Sequence, residues 1–362
     1  MGRDVAGNRH VAMRKIRYIG CCLLAGCLVG SCIDEDHTAS ADCDATVRVE
    51  VSAKRNVPVS TTRAFSEDIV DDMHVLVYDS SGKLTGHAFG TTNPLVVRAL
   101  SGAGCTVYAV TNTGNPSLFS GLSVSERHAL FDMTTERIAS LADIVAGDNL
   151  LMSGSVTTDI VKGENDISDG FFVSRLAAKN KLCITCADGV VLTGYSIGNL
   201  PAKSWLIARP NPNEADADDA VVGDDAVSVS NPHDWFDTGV IDITGTSSYT
   251  ITFYMYENRR GGRVPVGGTT GDPSGETAAE KPVKKAHYAP PKATYVELYV
   301  NMGGASETYR LYLGADNSGN YNVKRNCHYV YRVSVGVSGI LTVDGISIRD
   351  WEEKEEETIE LD

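Results

Sequence analysis

The chain has 362 residues, 42% of them hydrophobic and 22% charged, and a formal net charge of -15. Even after loss of a leader, that length allows two ordinary domains, each able to bury its own core. The acidic balance repels phosphate backbones and argues against nucleic acid as a partner.

The opening places a basic stretch, Arg14, Lys15 and Arg17, before an apolar run from Ile19 to Val29 and the small pair Gly30-Ser31. This is the order of a secretory signal. The run is only about a dozen residues, short of the roughly 20 that a permanent membrane span needs. Cys32 directly follows Leu28-Val29-Gly30-Ser31, a stretch that resembles a bacterial lipobox. Residues 1–31 are therefore expected to be a signal peptide, with the Cys32 thiol as the lipid acceptor. An ordinary signal with an incidental cysteine is the alternative, and Met13 is a second candidate start. Loss of the first 31 residues removes a net +4 and leaves the remainder at -19.

Residues 32–45 read as a lipidated acidic linker. Ile33-Asp34-Glu35-Asp36 resembles the acidic export signal that carries lipoproteins of Bacteroides-like bacteria to the outer face of the outer membrane, although a solvated linker has the same composition. Each buried acyl methylene adds about 0.8 kcal/mol to membrane binding. The expected location is the cell outer membrane, surface-exposed and held through the lipid on Cys32.

Past residue 45 the chain becomes a series of short strands bounded by Gly, Asn, Asp or Ser. Thr46 to Ala53 alternates, with Val47, Val49 and Val51 on one face and Arg48 and Glu50 on the other. Met73 to Tyr78 is nearly all apolar, as a strand buried on both faces should be, and Asp79-Ser80-Ser81-Gly82 turns it into Lys83 to Phe89. Leu95 to Leu100 and Cys105 to Thr111 follow. Thr135 to Ala142 is the one helical candidate, with Ile138, Leu141 and Ala142 at helical spacing. Residues 46–172 are expected to form one β-sandwich.

A second all-β series, residues 173–351, begins near Phe172. Leu182, Ile184 and Cys186 alternate, as do Ile251, Phe253 and Met255, then Val296, Leu298 and Val300, then Tyr309, Leu311 and Leu313. Tyr329, Tyr331, Val333, Val335 and Val337 continue the pattern. In the last hairpin Leu341 and Val343 are odd-numbered while Ile346 and Ile348 are even, so a bulge at Asp344-Gly345 is needed to bring both pairs to one face. Long loops are expected at 211–237, which holds eight acids and no Lys or Arg, and at 259–292, rich in Gly, Pro and Thr and expected to be mobile. Residues 352–362 form an acidic tail.

Five cysteines remain beyond Cys32, an odd number. Cys183 and Cys186 stand three apart in a strand-like run and face opposite sides of a sheet, which suits small buried residues better than a shared metal. The acidic run lacks the spacing of a calcium loop. No G-x-S-x-G, G-x-x-x-x-G-K-[ST] or H-E-x-x-H occurs. No metal, cofactor or enzymatic activity is therefore expected, though two glycosidase carboxylates can lie anywhere in a sequence.

The later motifs are the more specific. Lys292-Ala293-Thr294-Tyr295-Val296-Glu297, Tyr309-Arg310-Leu311-Tyr312-Leu313-Gly314, Asn322-Val323-Lys324-Arg325-Asn326 and a final strand ending in Trp351 resemble the fimbrillin superfamily of type V pili in Bacteroides-like bacteria. Phe253 to Asn258 with Gly261, Ala177-Ala178-Lys179, Leu151-Met152-Ser153-Gly154, and Met73 to Gly82 followed by Val107 to Asn112 fit the same order. The resemblance implies two tandem transthyretin-like Greek-key β-sandwich domains and a pilus subunit that serves cell adhesion. It also implies assembly with other pilus subunits by donor strand exchange, in which an arginine-directed protease removes the first strand and a neighbour's strand replaces it. Val47, Val49 and Val51 would then mark the exchanged strand, expected at a sheet edge, and Arg63 and Ala64 the cleavage site. Beyond Trp351 only Ile359 and Leu361 are apolar, so the resemblance points to an accessory tip or anchor subunit rather than a shaft subunit. The competing classes are a surface glycan-binding lipoprotein, in which Trp205 and Trp235 would stack on sugar rings, and a glycosidase. Host or bacterial surface molecules are the expected ligands of an adhesin.

Overall fold

The structure, a computed structural model, describes residues 43–53, 66–120, 125–145, 149–208, 232 and 234–350. Cys32, Arg63, Ala64, most of the acidic run and the tail lie outside the described residues.

In the first half the strands are β1 (Ala45–Val49), β2 (Ser52–Ala53), β3 (Met73–Tyr78), β4 (Leu84–Gly90), β5 (Leu95–Ala99), β6 (Gly102–Thr111), β7 (Met152–Ile160), β8 (Gly163–Ile167) and β9 (Phe172–Arg175). They build a three-stranded sheet, β5-β1-β8, and a six-stranded sheet, β2-β9-β7-β6-β3-β4. One core lies between them, with Val47, Val49, Met73, Val75, Val97 and Val107 among its side chains. Because valine and isoleucine fit a pleated, half-buried surface, the alternating runs of the sequence become these inner faces.

The second half comprises β10 (Ala177–Cys186), β11 (Val190–Gly198), β12 (Leu200–Pro201), β13 (Trp235–Phe236), β14 (Ile241–Thr246), β15 (Ser248–Tyr256), β16 (Asn258–Arg259), β17 (Tyr295–Met302), β18 (Ala305–Tyr312), β19 (Asn322–Val323), β20 (Cys327–Val335) and β21 (Leu341–Asp350). Two four-stranded sheets, β15-β10-β20-β21 and β14-β11-β17-β18, enclose a second core that includes Leu182, Ile251, Leu298, Tyr331 and Val333. The expected all-β class of two sandwiches is what the chain adopts. The chain passes from the first pair of sheets to the second at Leu176, since β9 still pairs with β7.

Every residue of β3 is buried because its sheet is covered on both faces. Away from the first core, Leu76, Tyr78, Tyr108 and Val110 pack under Phe119, Leu130, Ile138 and Ile144, and against Leu206, Ile207 and Tyr256 of the second half. This third cluster joins the two sandwiches. The expected helix at Thr135 to Ala142 is absent. Its first half is extended and bonds across the junction, Thr135 N–H to the Ser204 carbonyl and Ile138 N–H to the Ala202 carbonyl, and a 3-10 turn (Leu141–Val145) follows. The apolar spacing served the junction rather than a helix face. A short helix, α1 (Arg127–Phe131), lies upstream instead.

The bulge in the last hairpin is present. Arg332 pairs with Gly345 and Val333 with Val343, leaving Asp344 unpaired. Ile346 thereby reaches the core, but Ile348 remains exposed, as does Val337 beyond the end of β20. The stretch 259–292 is not the mobile loop expected. It contains a helix, α2 (Glu280–His287), capped by Thr277, whose hydroxyl takes the Glu280 N–H while the Glu280 carboxylate takes the Thr277 N–H. Arg263 holds Glu276 through two hydrogen bonds of 2.8 and 2.6 Å. Lys285 is buried and donates to the Asp316 carbonyl at 2.5 Å, and burial pushes its ammonium down to about 7. No helix among the described residues is long and apolar enough to cross a membrane. Cys105, Cys183 and Cys186 are free thiols.

β3 and β4 also bring together His74 Nδ1 and His87 Nε2 at 3.1 Å, with His74 Nε2 on the Asn115 carbonyl at 2.9 Å. Phe89 and Phe119 pack on the His74 ring. Burial pushes both imidazoles down, His87 to about 4. Because the folded form keeps these rings neutral, the unfolded chain takes up protons first, so stability falls as pH drops below the ordinary histidine value of about 6.5. Thermal melts from pH 7.5 to 5 should show a steeper loss for the natural protein than for His87→Phe. Equal slopes would mean that the pair does not drive acid sensitivity.

Candidate functional site

Residues 45–53 form one continuous extended segment that serves both sheets of the first sandwich. Ala45, Val47, Val49, Val51 and Ala53 all point inward, and Val47 and Val49 are 0% exposed. The segment was expected at a sheet edge, but β1 is the middle strand. It runs antiparallel to β5, with Val47 opposite Val97, and parallel to β8, with Val47 opposite Asn165. Alternation reports which face a residue takes and not whether a strand has one neighbour or two, which is why the position was misread. Within this sheet β5 and β8 meet only through β1.

After Val49 the chain crosses to the other sheet without losing backbone partners. Glu50 N–H donates to the Ile167 carbonyl at 3.0 Å, and Ser52 N–H to the Phe171 carbonyl at 3.1 Å. Between them the side chain of Asn93 acts as a substitute strand. Its Oδ1 accepts the Val51 N–H at 3.1 Å and its Nδ2 donates to the Val51 carbonyl at 2.7 Å. β2 then pairs in parallel with β9. On the outer face Arg48 reaches Asp166 of β8 at 3.1 Å and Glu50 at 2.9 Å. At the head of the segment, Asp44 accepts from the Ser101 N–H and hydroxyl, bonds that hold its carboxyl below the usual carboxylate range.

The next described residues form a 3-10 turn, Ser66–Asp68, tied to the end of β9 and to the second sandwich. Arg175 is fully buried and donates to the Asp68 carboxylate, to the Glu67 carbonyl at 3.1 Å and to Asn326 Oδ1 at 3.0 Å. The Glu67 carboxylate takes the Lys179 ammonium at 3.1 Å and the Tyr254 hydroxyl. The segment that would follow a cut at Arg63 is therefore fastened at the junction of the two sandwiches. Asn93 and Arg175 escaped sequence reasoning. No local pattern announces their distant partners.

The other predicted positions do not gather at this segment. Trp235 has Lys292 over its ring at 5.4 Å, and Trp205 sits at the junction, bridged to Thr134 with its carbonyl near Arg325. Among the described residues no group of three or more His, Cys, Asp or Glu is placed to hold a metal ion. What the segment 45–53 offers chemically is a slot for an extended strand, with backbone partners along both sides and apolar pockets at alternate positions.

Comparison with known proteins bears on the fold. A family described as a domain of unknown function (DUF4906) matches residues 253–333. No curated protein matches by sequence. Among solved structures, the tip fimbrial protein Mfa3 of Porphyromonas gingivalis, in a form with a C-terminal truncation, is 16% identical with a TM-score of 0.55, over 85% of this chain and 99% of that one. A candidate cell adhesion protein of Parabacteroides distasonis is 13% identical with a TM-score of 0.58, over 86% and 98%. Another from Bacteroides eggerthii is 15% identical with a TM-score of 0.50, over 85% and 96%. This chain has the fimbrillin-like fold that these fimbrial and adhesion proteins share.

Proposed function

We propose that this chain is a surface lipoprotein subunit of a type V pilus, an accessory subunit at the tip or the anchor, that joins its neighbours by strand exchange and serves adhesion. The observation that supports it best is the position of residues 45–53. They are a central strand of the first sandwich, they precede a candidate cleavage site at Arg63 and Ala64, and the turn beyond that site is bound to the second sandwich through Glu67. The strand can thus leave while the rest of the chain stays assembled. The fold it shares with a tip fimbrial protein agrees with this reading. The role is one of binding and assembly rather than catalysis.

Delivery to the surface rests on Cys32. Cys32→Ala should move the protein out of the detergent phase or leave it unprocessed, and unchanged partitioning with normal processing would remove the lipid anchor from the proposal. The N-terminus of the protein recovered from cells tests the rest. A precursor beginning at acylated Cys32 and a pilus-associated form beginning at Ala64 are expected. Absence of the chain from pilus fractions would sink the proposal, and a pilus form that still begins at Cys32 would remove cleavage from it.

A further inference from the structure

We propose that the cleft at the junction of the two sandwiches binds a neutral sugar of a surface glycan, with Phe172 as the platform under the sugar ring and Ser153, Ser174 and Asn326 as partners of its hydroxyls. The proposal rests on the adhesion reading and names the chemical class of the ligand.

One wall of the cleft is the outer face of the six-stranded sheet. Met152 and Val156 of β7 and Val173 of β9 turn into the first core, so by alternation Ser153, Ser155, Phe172 and Ser174 take the opposite face. β7 and β9 are antiparallel there, with Ser153 directly across from Ser174. A Cβ at Gly154 would run into the Phe172 carbonyl oxygen, so glycine is what lets the two strands lie this close. Phe172 itself is 48% exposed and lines the cleft.

The other wall is the turn between β19 and β20, residues 324–327, with Ile207 and Glu257 beside it. Asn326 takes the left-handed conformation at φ 57°, which asparagine tolerates. Its Oδ1 accepts the Arg175 backbone N–H at 3.1 Å and the Arg175 guanidinium at 3.0 Å. That fixes the side-chain amide and leaves its Nδ2 with no partner among the described residues. The hydroxyls of Ser153 and Ser174 likewise bond to no described residue. Ser153 is only 7% exposed, yet its hydroxyl oxygen is not sealed off, and the space it meets is the cleft.

Between the walls lies a volume of about 610 Å³, within the roughly 300–1,000 Å³ of ligand sites, which favour domain junctions. A pyranose presents a face of C–H groups and a rim of hydroxyls. The negative face of a phenyl ring suits the first, and serine hydroxyls and an asparagine amide suit the second. Charge does not choose the ligand. Arg325 stands 3.7 Å from Glu257, and Lys324 is the other cation of the wall on a chain of net charge -15. A neutral sugar needs no counter-charge there.

The test places the full chain on an array of neutral hexose and N-acetylhexosamine oligosaccharides, with sialylated and sulfated ones for comparison, and titrates the best neutral ligand by calorimetry. Phe172→Ala should weaken binding at least about tenfold and Phe172→Trp should retain it. Ser153→Ala and Ser174→Ala should each cost a few-fold, and all four variants should melt close to the natural protein. Cells carrying Phe172→Ala should lose the adherence that the same free sugar blocks in the natural strain. If no neutral oligosaccharide binds, if only charged glycans bind, or if Phe172→Ala binds as well as the natural protein, the proposal is wrong. Cells that adhere through this chain and are indifferent to free sugar would also overturn it, while leaving the adhesion reading intact. If cells lacking the chain adhere as well as those that have it, the adhesion reading fails, and sugar binding at the cleft is then decided by the array alone.

Discussion

A chain nicked after Ala53 and stripped of residues 43–53 by mild denaturant is expected to oligomerise on return to native conditions, and to become monomeric again when the strand is added back. Removal of β1 leaves β5 and β8 without a common neighbour in their sheet. It opens an apolar trough where three valines had been, each worth about 1.5–3 kcal/mol when fully buried. It also frees a row of backbone donors and acceptors on both sides, which is a template for another strand. Light scattering at micromolar concentration reads the outcome. A stripped chain that stays monomeric, with an unchanged melting temperature, would show that the segment is a dispensable linker.

Substitutions in the intact chain should separate the two faces of the same strand. Val49→Asp places a carboxylate among Met73, Val75 and the other side chains of the first core, where nothing pairs it, and should cost about 4 kcal/mol or more. Arg48→Ala removes a partly exposed ion pair and should cost less than about 1 kcal/mol. Denaturant melts giving similar values for the two would contradict the buried position of Val49.

Much of this site was visible in the sequence, because a two-sided sandwich writes itself as alternation. The inward set Val47, Val49 and Val51 could be read from spacing alone, and so could the bulge at Asp344, since a change of parity within one hairpin has few other physical solutions. What could not be read was set by distant contacts. The parallel neighbour of β1 lies in β8, and no local pattern encodes it. Asn93 and Arg175 are polar residues whose roles come from partners far away in sequence. The ordered stretch 259–292 is a different case. Its Gly and Pro content suggested mobility, yet Thr277-Ala278-Ala279-Glu280 is a capping-box pattern and could have announced α2. The buried Arg263–Glu276 pair and Lys285 that hold the stretch in place have no such signature.

Arg175→Met is expected to be among the most destabilising substitutions in the chain, at about 3–5 kcal/mol, because it breaks a buried ion pair by removing one partner. Arg175 is 0% exposed and the Asp68 side chain 6%. Without the guanidinium, the buried Asp68 carboxylate loses this cation, and the Glu67 carbonyl and Asn326 amide lose a donor. Arg175→Met combined with Asp68→Leu should recover a large part of the deficit, since both halves of the pair are then apolar. The assembly reading gives the clamp a purpose: it would hold the end created by a cut at Arg63 against β9 at the junction, so that a freed strand leaves alone. Urea melts of the single and double variants at pH 7 decide the matter. A single variant that costs under about 1 kcal/mol, or a double variant no better than the single, would mean that the turn at Ser66–Asp68 is held by other contacts and that Arg175 does not fasten the junction.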